Sequence, residues 1–399
     1  MLYSIGSATF RTSPGYRLVR FEDLPPAQQQ ALSELQRDPD FYGILCPRAD
    51  SFHVRRLKAV DRNTAELFLA LQHPGPLPSH IKRTLKQKCD REVARLVLDG
   101  ILEIEHNHTF SSGVAAYPLI YGQSTPVVPD DSPIARLSVQ ALQYAQALQI
   151  DDSATLSSRL YFYNRQPVTP YWLRRFPSQD AVMEYLDLKH HNTPAHLLER
   201  GWHFSPPPAG RSEWLVWKRS SESPFGEAPG ATYKLYVSAH CRFLSDVFER
   251  VSHALAESDA IAFKMGANAY NLLRPDKMVI YFHSSDPLRR FAHSLDPALD
   301  GIPAHGVPFT AQIGRSSILS WGVDPPVRQD VLSLQDTESW RSWVTNRLAA
   351  ALLTAAATAD RAVEPWEFAL QRLKLDGVDI ATWTPEDTGW DDFIIGGIN

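Results

Sequence analysis

The sequence predicts an α+β fold, with a mixed N-terminal region and a larger C-terminal α+β domain that carries flanking helices. Between residues 233 and 326, the segments follow the order strand, helix, strand, strand, helix, strand. Apolar residues recur every four positions from Phe243 to Leu255, which is the spacing of one buried helix face. Strand-like segments such as Met278–Phe282 are instead continuous runs of Met, Val, Ile, Tyr and Phe.

Composition places the chain among folded proteins without a global attraction for polyanions. Its 399 residues are 44% hydrophobic and 21% charged, and the formal net charge is −5, so an anion site must be local. The three cysteines, Cys46, Cys89 and Cys241, lack metal-type spacing, and we expect no metal or other cofactor. No segment reads as a signal peptide or a membrane span. We therefore expect a cytoplasmic protein that binds neither membrane nor nucleic acid.

A segment rich in Pro and Asp, Val127–Pro133, divides the chain into two predicted domains. The first domain covers residues 1–130 and the second covers residues 131–399. Within the second domain we expect a core at 159–330 and C-terminal helices at 336–373.

Local patterns predict single elements within the second domain. Ser132, followed by Pro133, predicts a helix start, and that helix should bury Tyr144 with its apolar neighbours. The run Leu160–Tyr163 predicts a strand. Ser220–Gly230 is rich in Ser, Glu, Pro and Gly and predicts a surface loop, either a plain hairpin loop or a lid.

Residues 78–112 predict a winged-helix-like module. A helix or helix pair covers Lys82–Asp99, Gly100 ends it, and Ile101–Glu105 begins a short hairpin. Five basic residues lie on the helical part: Lys82, Arg83, Lys86, Lys88 and Arg91. Three interpretations remain open: a surface for a leader peptide, a DNA-binding surface, or an ordinary solvated helix face.

Single cationic side chains stand within or beside the apolar segments of the C-terminal half. They are Lys234, Lys264, Arg274, Lys277 and Arg315. A buried charge is costly unless an anion or a carboxylate neutralises it. If these cations converge, they form a receptor for a multiply charged anion such as phosphate. Alternatively, each lysine packs its stem on the sheet and directs its amine to solvent.

Several segments resemble the HopA-type effector family, which includes stand-alone lyases from bacterial gene clusters for class V lanthipeptides and thioamitides. The segments are Arg159–Arg165, Tyr233–Ser238, Phe263–Gly266, Leu273–Lys277 and Val307–Pro326. That family is similar to phosphothreonine lyases, which remove phosphate from phosphothreonine by β-elimination. The resemblance therefore implies an enzyme, a carbon–oxygen lyase with a phosphothreonine-lyase-like C-terminal domain.

The resemblance also implies roles for individual residues. Lys264 matches the catalytic lysine of the phosphothreonine lyases. Lys234 and Tyr236 match a Lys-x-His pair, with tyrosine in the place of the general-acid histidine. Arg274 matches the first phosphate-binding arginine of those enzymes, and Arg315 is the candidate for a later one. We expect Lys277 to hold the phosphate together with these two arginines.

The implied substrate is a ribosomal precursor peptide that carries phosphoserine or phosphothreonine, and the implied products are dehydroalanine or dehydrobutyrine. A kinase-like protein is the expected partner. Lys264 would act as the base, with its pKa lowered by burial and neighbouring cations. Tyr236 would protonate the leaving oxygen or only donate a hydrogen bond; Lys234 is the other acid, unless phosphate leaves unprotonated. The alternative is a non-catalytic phosphopeptide-binding or scaffolding subunit, which the tyrosine at 236 favours.

Overall fold

The computed structural model describes residues 5, 7–48, 56–122, 131–188, 201–205, 213–219, 232–325, 332, 334, 338–357 and 363–386. The predicted loop Ser220–Gly230 lies outside these residues. The strands are β1 (Thr9–Thr12), β2 (Tyr16–Arg20), β3 (Phe41–Pro47), β4 (Lys58–Asp61), β5 (Gly75–Pro76), β6 (Leu102–His106), β7 (Thr109–Ser111), β8 (Trp202–Ser205), β9 (Trp214–Arg219), β10 (Tyr233–Val237), β11 (Ala262–Gly266), β12 (Met278–Phe282), β13 (Ala311–Ile313), β14 (Leu319–Val323), β15 (Val378–Asp379) and β16 (Thr384–Pro385).

The α-helices mix with these strands along the chain, so the predicted α+β class is confirmed. They are α1 (Pro26–Ala31), α2 (Arg62–Ala70), α3 (Ser79–Leu85), α4 (Cys89–Leu98), α5 (Tyr117–Tyr121), α6 (Pro133–Ala147), α7 (Ser153–Tyr161), α8 (Pro170–Arg175), α9 (Gln179–Tyr185), α10 (Leu244–Ala256), α11 (Ala269–Leu272), α12 (Ser285–Leu295), α13 (Trp340–Ala356) and α14 (Pro365–Lys374). No helix within the described ranges is long and apolar enough to cross a membrane.

A seven-stranded sheet in the order β13-β14-β10-β12-β11-β9-β8 organises the C-terminal half. Neighbouring strands in this sheet run antiparallel, so directly opposed residues project from the same face. One face holds the core: the rings of Trp217 and Phe263 stack at 4.4 Å, and Phe248 of α10 packs against both. The helix α12 packs on the same side, where Phe291 meets Phe282 at 5.6 Å.

The opposite face of the sheet is partly covered by the first turn of α13. A Cβ at Gly322 would lie 2.7 Å from the ring of Trp340, so only glycine permits this close approach. The Trp340 indole donates to the carbonyl oxygen of Phe309 at 2.9 Å. The helix α7 packs beside α13, where the hydroxyls of Ser157 and Thr345 are hydrogen-bonded at 3.1 Å. These contacts place α7 and α13 beside the part of the face that the first turn of α13 leaves open.

The structure corrects two local predictions and supports a third. The start of α6 agrees with the prediction, because Ser132 accepts a hydrogen bond from the backbone N–H of Ala135 at 3.2 Å. Tyr144 of that helix is 45% exposed, so its predicted burial was wrong. The predicted strand at Leu160–Tyr163 was also wrong, because Asp152 caps a helix that runs through Tyr161. Leu156 and Leu160, four residues apart, form the buried face of that helix.

The predicted winged helix at 78–112 is not confirmed. The helices α3 and α4 and the hairpin β6–β7 all form, but β6 also pairs with β1 in a four-stranded sheet of order β5-β1-β6-β7. The N-terminal region also contacts the C-terminal helices directly. Arg372 of α14 binds both carboxylate oxygens of Asp99 at 2.7 Å, and one hydrophobic core extends from Ile5 to Trp383.

Candidate active site

The register of three central strands places the predicted catalytic residues on the face opposite the core. Tyr236 of β10 and Lys264 of β11 both oppose Val279, which lies on β12 between them. At ~4.8 Å between neighbouring strands, their Cα atoms are about 10 Å apart. Lys234 lies one row along, opposite Tyr281. The structure therefore brings Lys234, Tyr236 and Lys264 together.

Aromatic rings surround the amine of Lys264. Its Nζ lies 4.3 Å from the centroid of the Trp214 ring and 5.8 Å from that of Tyr281. Among the described residues, no carboxylate forms an ion pair with it. This amine therefore has less water than an exposed lysine and lacks a counter-ion of its own.

The electrostatic surroundings of Lys264 make it a weaker base than free lysine, with a neutral fraction that becomes large as pH approaches 8. Burial lowers the pKa of Lys264 from 10.5 to about 8. The carboxylates of Asp276 and Asp324 oppose that shift in pKa, while the charges of Lys234 and Arg274 reinforce it. These four charged groups therefore lie near the amine of Lys264.

Lys234 is held by an ion pair. Its Nζ lies 2.6 Å from Oδ1 and 2.5 Å from Oδ2 of Asp324, which follows β14 on the same face of the sheet. Asp324 also accepts the backbone N–H of Trp340 at 2.9 Å, so the carboxylate is fixed by the start of α13. The ammonium of Lys234 further lies 5.7 Å from the centroid of the Tyr281 ring.

A buried carboxylate joins two arginines beside this face. Asp276 accepts from Nε and Nη2 of Arg274 at 2.9 and 2.8 Å, and Nη1 of Arg341 lies 2.8 Å from it. Although burial alone would raise the pKa of Asp276, Arg341 and Arg274 hold that pKa well below its usual range. Tyr161, at the end of α7, donates to Asp276 and accepts from Arg274, both at 3.2 Å.

The Arg274 guanidinium keeps one nitrogen for a ligand. Its Nε and Nη2 are used by Asp276 and Tyr161, whereas Nη1 has no hydrogen-bond or ion-pair partner among the described residues. The group lies between aromatic rings, 4.9 Å from the centroid of Trp214 and 5.0 Å from that of Phe162. A guanidinium fixed in this way is preorganised to bind an oxyanion.

Tyr236 supplies a neutral phenol at the bottom of the site. It is 4% exposed and belongs to a small apolar cluster with Ala262, Val279, Tyr281 and Val307. Burial raises the pKa of Tyr236 well above 10; Arg341 opposes that shift in pKa, and Asp324 adds to it. The phenol therefore keeps its proton near neutral pH and can donate a hydrogen bond.

The predicted phosphate-binding residue Lys277 contacts other groups instead of this site. Lys277 is 0% exposed, and its amine donates to the carbonyl oxygen of Ala239 at 2.9 Å and contacts Nδ1 of His305 at 2.8 Å. Burial lowers the pKa of Lys277 to about 7. Its predicted contact with phosphate is therefore corrected to a buried structural role. Arg315 is exposed in the turn between β13 and β14, and its role stays a prediction.

Sequence reasoning missed the groups that neutralise and enclose the cations. They are Tyr161, Trp214, Asp276, Asp324 and Arg341. Arg341 is 1% exposed in the first turn of a largely buried helix, and it also donates to the carbonyl oxygen of Tyr161 at 2.6 Å. A charge in such a helix predicts a buried carboxylate partner, although the sequence gives no means of choosing Asp276.

Comparison of the chain with family models and with curated proteins gives no match. Among solved structures, the chain is similar to an effector protein from Pseudomonas syringae pv. tomato strain DC3000, with 11% identity and a TM-score of 0.43; the match covers 63% of this chain and 98% of that one. It is also similar to the effector and phosphothreonine lyase OspF from Shigella flexneri, with 14% identity and a TM-score of 0.27 over 33% of this chain and 76% of that one.

A third similar structure, a phosphothreonine lyase, shares 15% identity at a TM-score of 0.27, over 46% of this chain and 88% of that one. The predicted resemblance to HopA-type effectors and phosphothreonine lyases is thus confirmed as a distant similarity. Identities and TM-scores at this level carry no assignment of activity, so the function depends on the site residues of the chain itself.

Proposed function

We propose that the chain is a lyase that removes phosphate from phosphoserine or phosphothreonine in a peptide by β-elimination. The observation that carries this proposal is the amine of Lys264, which has a pKa of about 8 and no counter-ion of its own among the described residues. The strand β12 separates it from Tyr236 on the same face, and the charge of the Arg274 guanidinium helps to lower its pKa. Elimination needs a neutral base beside an anion site, and this face combines both.

The charges on this face suit a phosphate dianion. The cations Lys234, Arg274 and Arg341 outnumber the carboxylates Asp276 and Asp324 even when Lys264 is neutral. The free Nη1 of Arg274 is the nitrogen that would bind phosphate directly. Arg341, whose guanidinium is committed to Asp276 and backbone carbonyls, would act by holding that carboxylate away from the ligand.

In the proposed reaction, neutral Lys264 removes the Cα proton of the phosphorylated residue. The electron pair of that C–H bond forms the Cα–Cβ double bond, and the Cβ–O bond breaks with loss of phosphate. The products are dehydroalanine or dehydrobutyrine, inorganic phosphate and a protonated Lys264. The residues described need no metal for this step.

Two side chains can assist the leaving phosphate. The Lys234 ammonium carries a proton and is oriented by Asp324, so we assign it as the proton donor. Tyr236, whose pKa lies well above 10, gives up its proton less readily and would donate a hydrogen bond to the leaving oxygen. This assignment gives each predicted catalytic side chain a role: Lys234 donates the proton and Tyr236 donates a hydrogen bond.

The test uses a phosphoserine peptide, its phosphothreonine analogue and mass spectrometry. Loss of phosphoric acid, with a product that adds an external thiol, supports elimination, whereas restoration of the free hydroxyl indicates hydrolysis. Lys264→Ala should lower the rate by at least about 10²-fold, the usual contribution of a general base, and leave phosphopeptide binding largely intact. Undiminished elimination by that variant would contradict the assignment of the base.

A second function is a phosphopeptide-binding subunit without catalysis. The buried phenol of Tyr236 favours this function. The phosphothreonine lyases that the chain resembles have a general-acid histidine at the matching position. Both functions predict that Arg274→Ala weakens binding of the phosphorylated peptide far more than binding of the unphosphorylated one. Only the lyase changes the peptide's mass. A ribosomal precursor peptide as substrate and a kinase-like partner remain part of the proposal, and co-purification with such a kinase would support the partner.

A further inference from the structure

Cations and aromatic rings alternate from the half-buried Lys264 to the protein surface. Lys264 and Arg274 both lie against Trp214, at 4.3 and 4.9 Å from the ring centroid. Arg274 is also 5.0 Å from the ring of Phe162, and Arg165 is 5.9 Å from that same ring. Arg165 then lies 5.5 Å from the centroid of Tyr270. The outer three residues, Phe162, Arg165 and Tyr270, form what we call the outer rim.

The outer rim is open to solvent although it adjoins the buried site. Phe162 is 37% exposed and Tyr270 is 53% exposed, which is unusual for rings that contact a site of buried charges. Arg165 is anchored by one hydrogen bond, from Nη2 to the carbonyl oxygen of Tyr270 at 3.0 Å. Clusters of Tyr, Phe and Arg with this exposure are typical of surfaces that bind another chain.

The guanidinium of Arg165 is only weakly compensated. Its Nε is buried and has no hydrogen-bond partner in the part of the chain that the structure describes. The pKa of Arg165 is lowered by burial and then by the charge of Arg274, while Tyr270 and the exposed Glu213 oppose that change in pKa. No carboxylate among the described residues forms an ion pair with Arg165. An incoming anion would therefore relieve the unfavourable proximity of two arginines.

We propose that the outer rim binds an acidic side chain of the peptide, close in sequence to the phosphorylated residue. The inference depends on the proposed function, because Arg274 fixes where the phosphate lies. The guanidinium carbons of Arg165 and Arg274 lie 5.9 and 5.0 Å from one ring centroid, so they are at most about 11 Å apart. An extended peptide rises ~3.3 Å per residue, so the acidic residue is at most about three positions from the phosphorylated one. The rings of Phe162 and Tyr270 would cover the aliphatic part of that side chain.

The test compares phosphopeptides that differ only by Glu, Gln or Lys, placed one, two or three residues to either side of the phosphorylated serine. Binding is measured by fluorescence anisotropy in the Lys264→Ala background, so that turnover does not consume the peptide. At one position, the Glu peptide should bind about 5-fold more tightly than the Gln peptide, as expected for a partly buried ion pair. Arg165→Gln should remove this preference without weakening the Gln peptide, and Arg165→Glu should favour the Lys peptide.

Arg290→Gln is the matched control, because Arg290 is an exposed arginine of α12 on the core side of the sheet, paired with Asp259 at 3.0 Å. Circular dichroism and thermal unfolding check that each variant folds. An unchanged Glu-to-Gln ratio in Arg165→Gln would overturn the inference. If the preference is present but wild-type protein never eliminates phosphate, then the rim stands and the lyase fails. If elimination occurs with no preference at any position, the rim alone fails.

Discussion

The Nζ of Lys264 lies 4.3 Å from the centroid of the Trp214 ring. This contact has two opposing effects on the amine. A cation–π interaction of ~0.5–2 kcal/mol favours the ammonium. Exclusion of water favours the neutral amine, and a pKa of about 8 instead of 10.5 corresponds to roughly 3 kcal/mol in that direction. Desolvation therefore outweighs the ring's attraction, and the site holds a lysine that can accept a proton.

The activity should rise with pH through the pKa of this amine. Because Lys264 must be neutral to accept the Cα proton, kcat/KM should increase up to an apparent pKa near 8 and level off above it. The phosphate group of the substrate titrates near 6, so the profile is measured from pH 7 to 10. A rate that falls between pH 7 and 9 would show that Lys264 acts in its protonated form.

Lys264→Met should stabilise the protein while it removes activity. At pH 7 the wild-type amine is mostly charged in a desolvated position, so the apolar variant should raise the free energy of unfolding by about 1–3 kcal/mol. Chemical denaturation measures the difference.

The stability difference between wild type and Lys264→Met depends on pH, and its direction follows from the folded-state and unfolded-state pKa values of Lys264. The folded-state pKa of Lys264, about 8, lies below the ordinary value of 10.5, so the unfolded chain binds more protons between them. Wild-type stability therefore recovers as pH rises through this window, and the gap to Lys264→Met narrows by pH 10. A gap that does not change from pH 7 to pH 10 would show that Lys264 titrates normally.

Asp324→Asn should reduce catalysis without unfolding the site. The amide keeps an oxygen that can accept the backbone N–H of Trp340, but it no longer neutralises Lys234. We expect kcat to fall by about 10- to 100-fold, because the proton donor loses its orientation. Asp324→Ala is the comparison, since it removes both contacts and should also cost ~1 kcal/mol of stability. Equal kcat in wild type and Asp324→Asn would remove Lys234 from the proton-donor role.

Lys277→Met should affect stability and spare binding. The substitution leaves the carbonyl oxygen of Ala239 and Nδ1 of His305 without their buried donor, at a cost of about 2–4 kcal/mol. Phosphopeptide affinity, measured on the folded variant, should stay within about 2-fold of wild type. The opposite pattern, full stability with lost affinity, would restore the phosphate role that the sequence predicted.

Strand positions were the predictable part of the site, because apolar runs such as Met278–Phe282 agree with the observed strands. The predictions that failed concern residues whose environment depends on segments distant in sequence. Lys277 has the same type of sequence neighbourhood as Lys264, yet its amine is enclosed by Ala239 and His305. Ion pairs such as Asp276 with Arg341 connect residues far apart in sequence, and no local pattern encodes such pairings.

The contact between Arg341 and Asp276 limits how the protein can be shortened. A fragment of residues 159–330 contains Lys264, Arg274 and Asp276 but ends before α13. This fragment would bury the Asp276 carboxylate with only one of its two arginines. Loss of one partner of a buried ion pair costs ~3–5 kcal/mol. Recombinant versions designed around the apparent catalytic core should therefore retain the helix at 340–356, whose guanidinium is a folding requirement of the pocket.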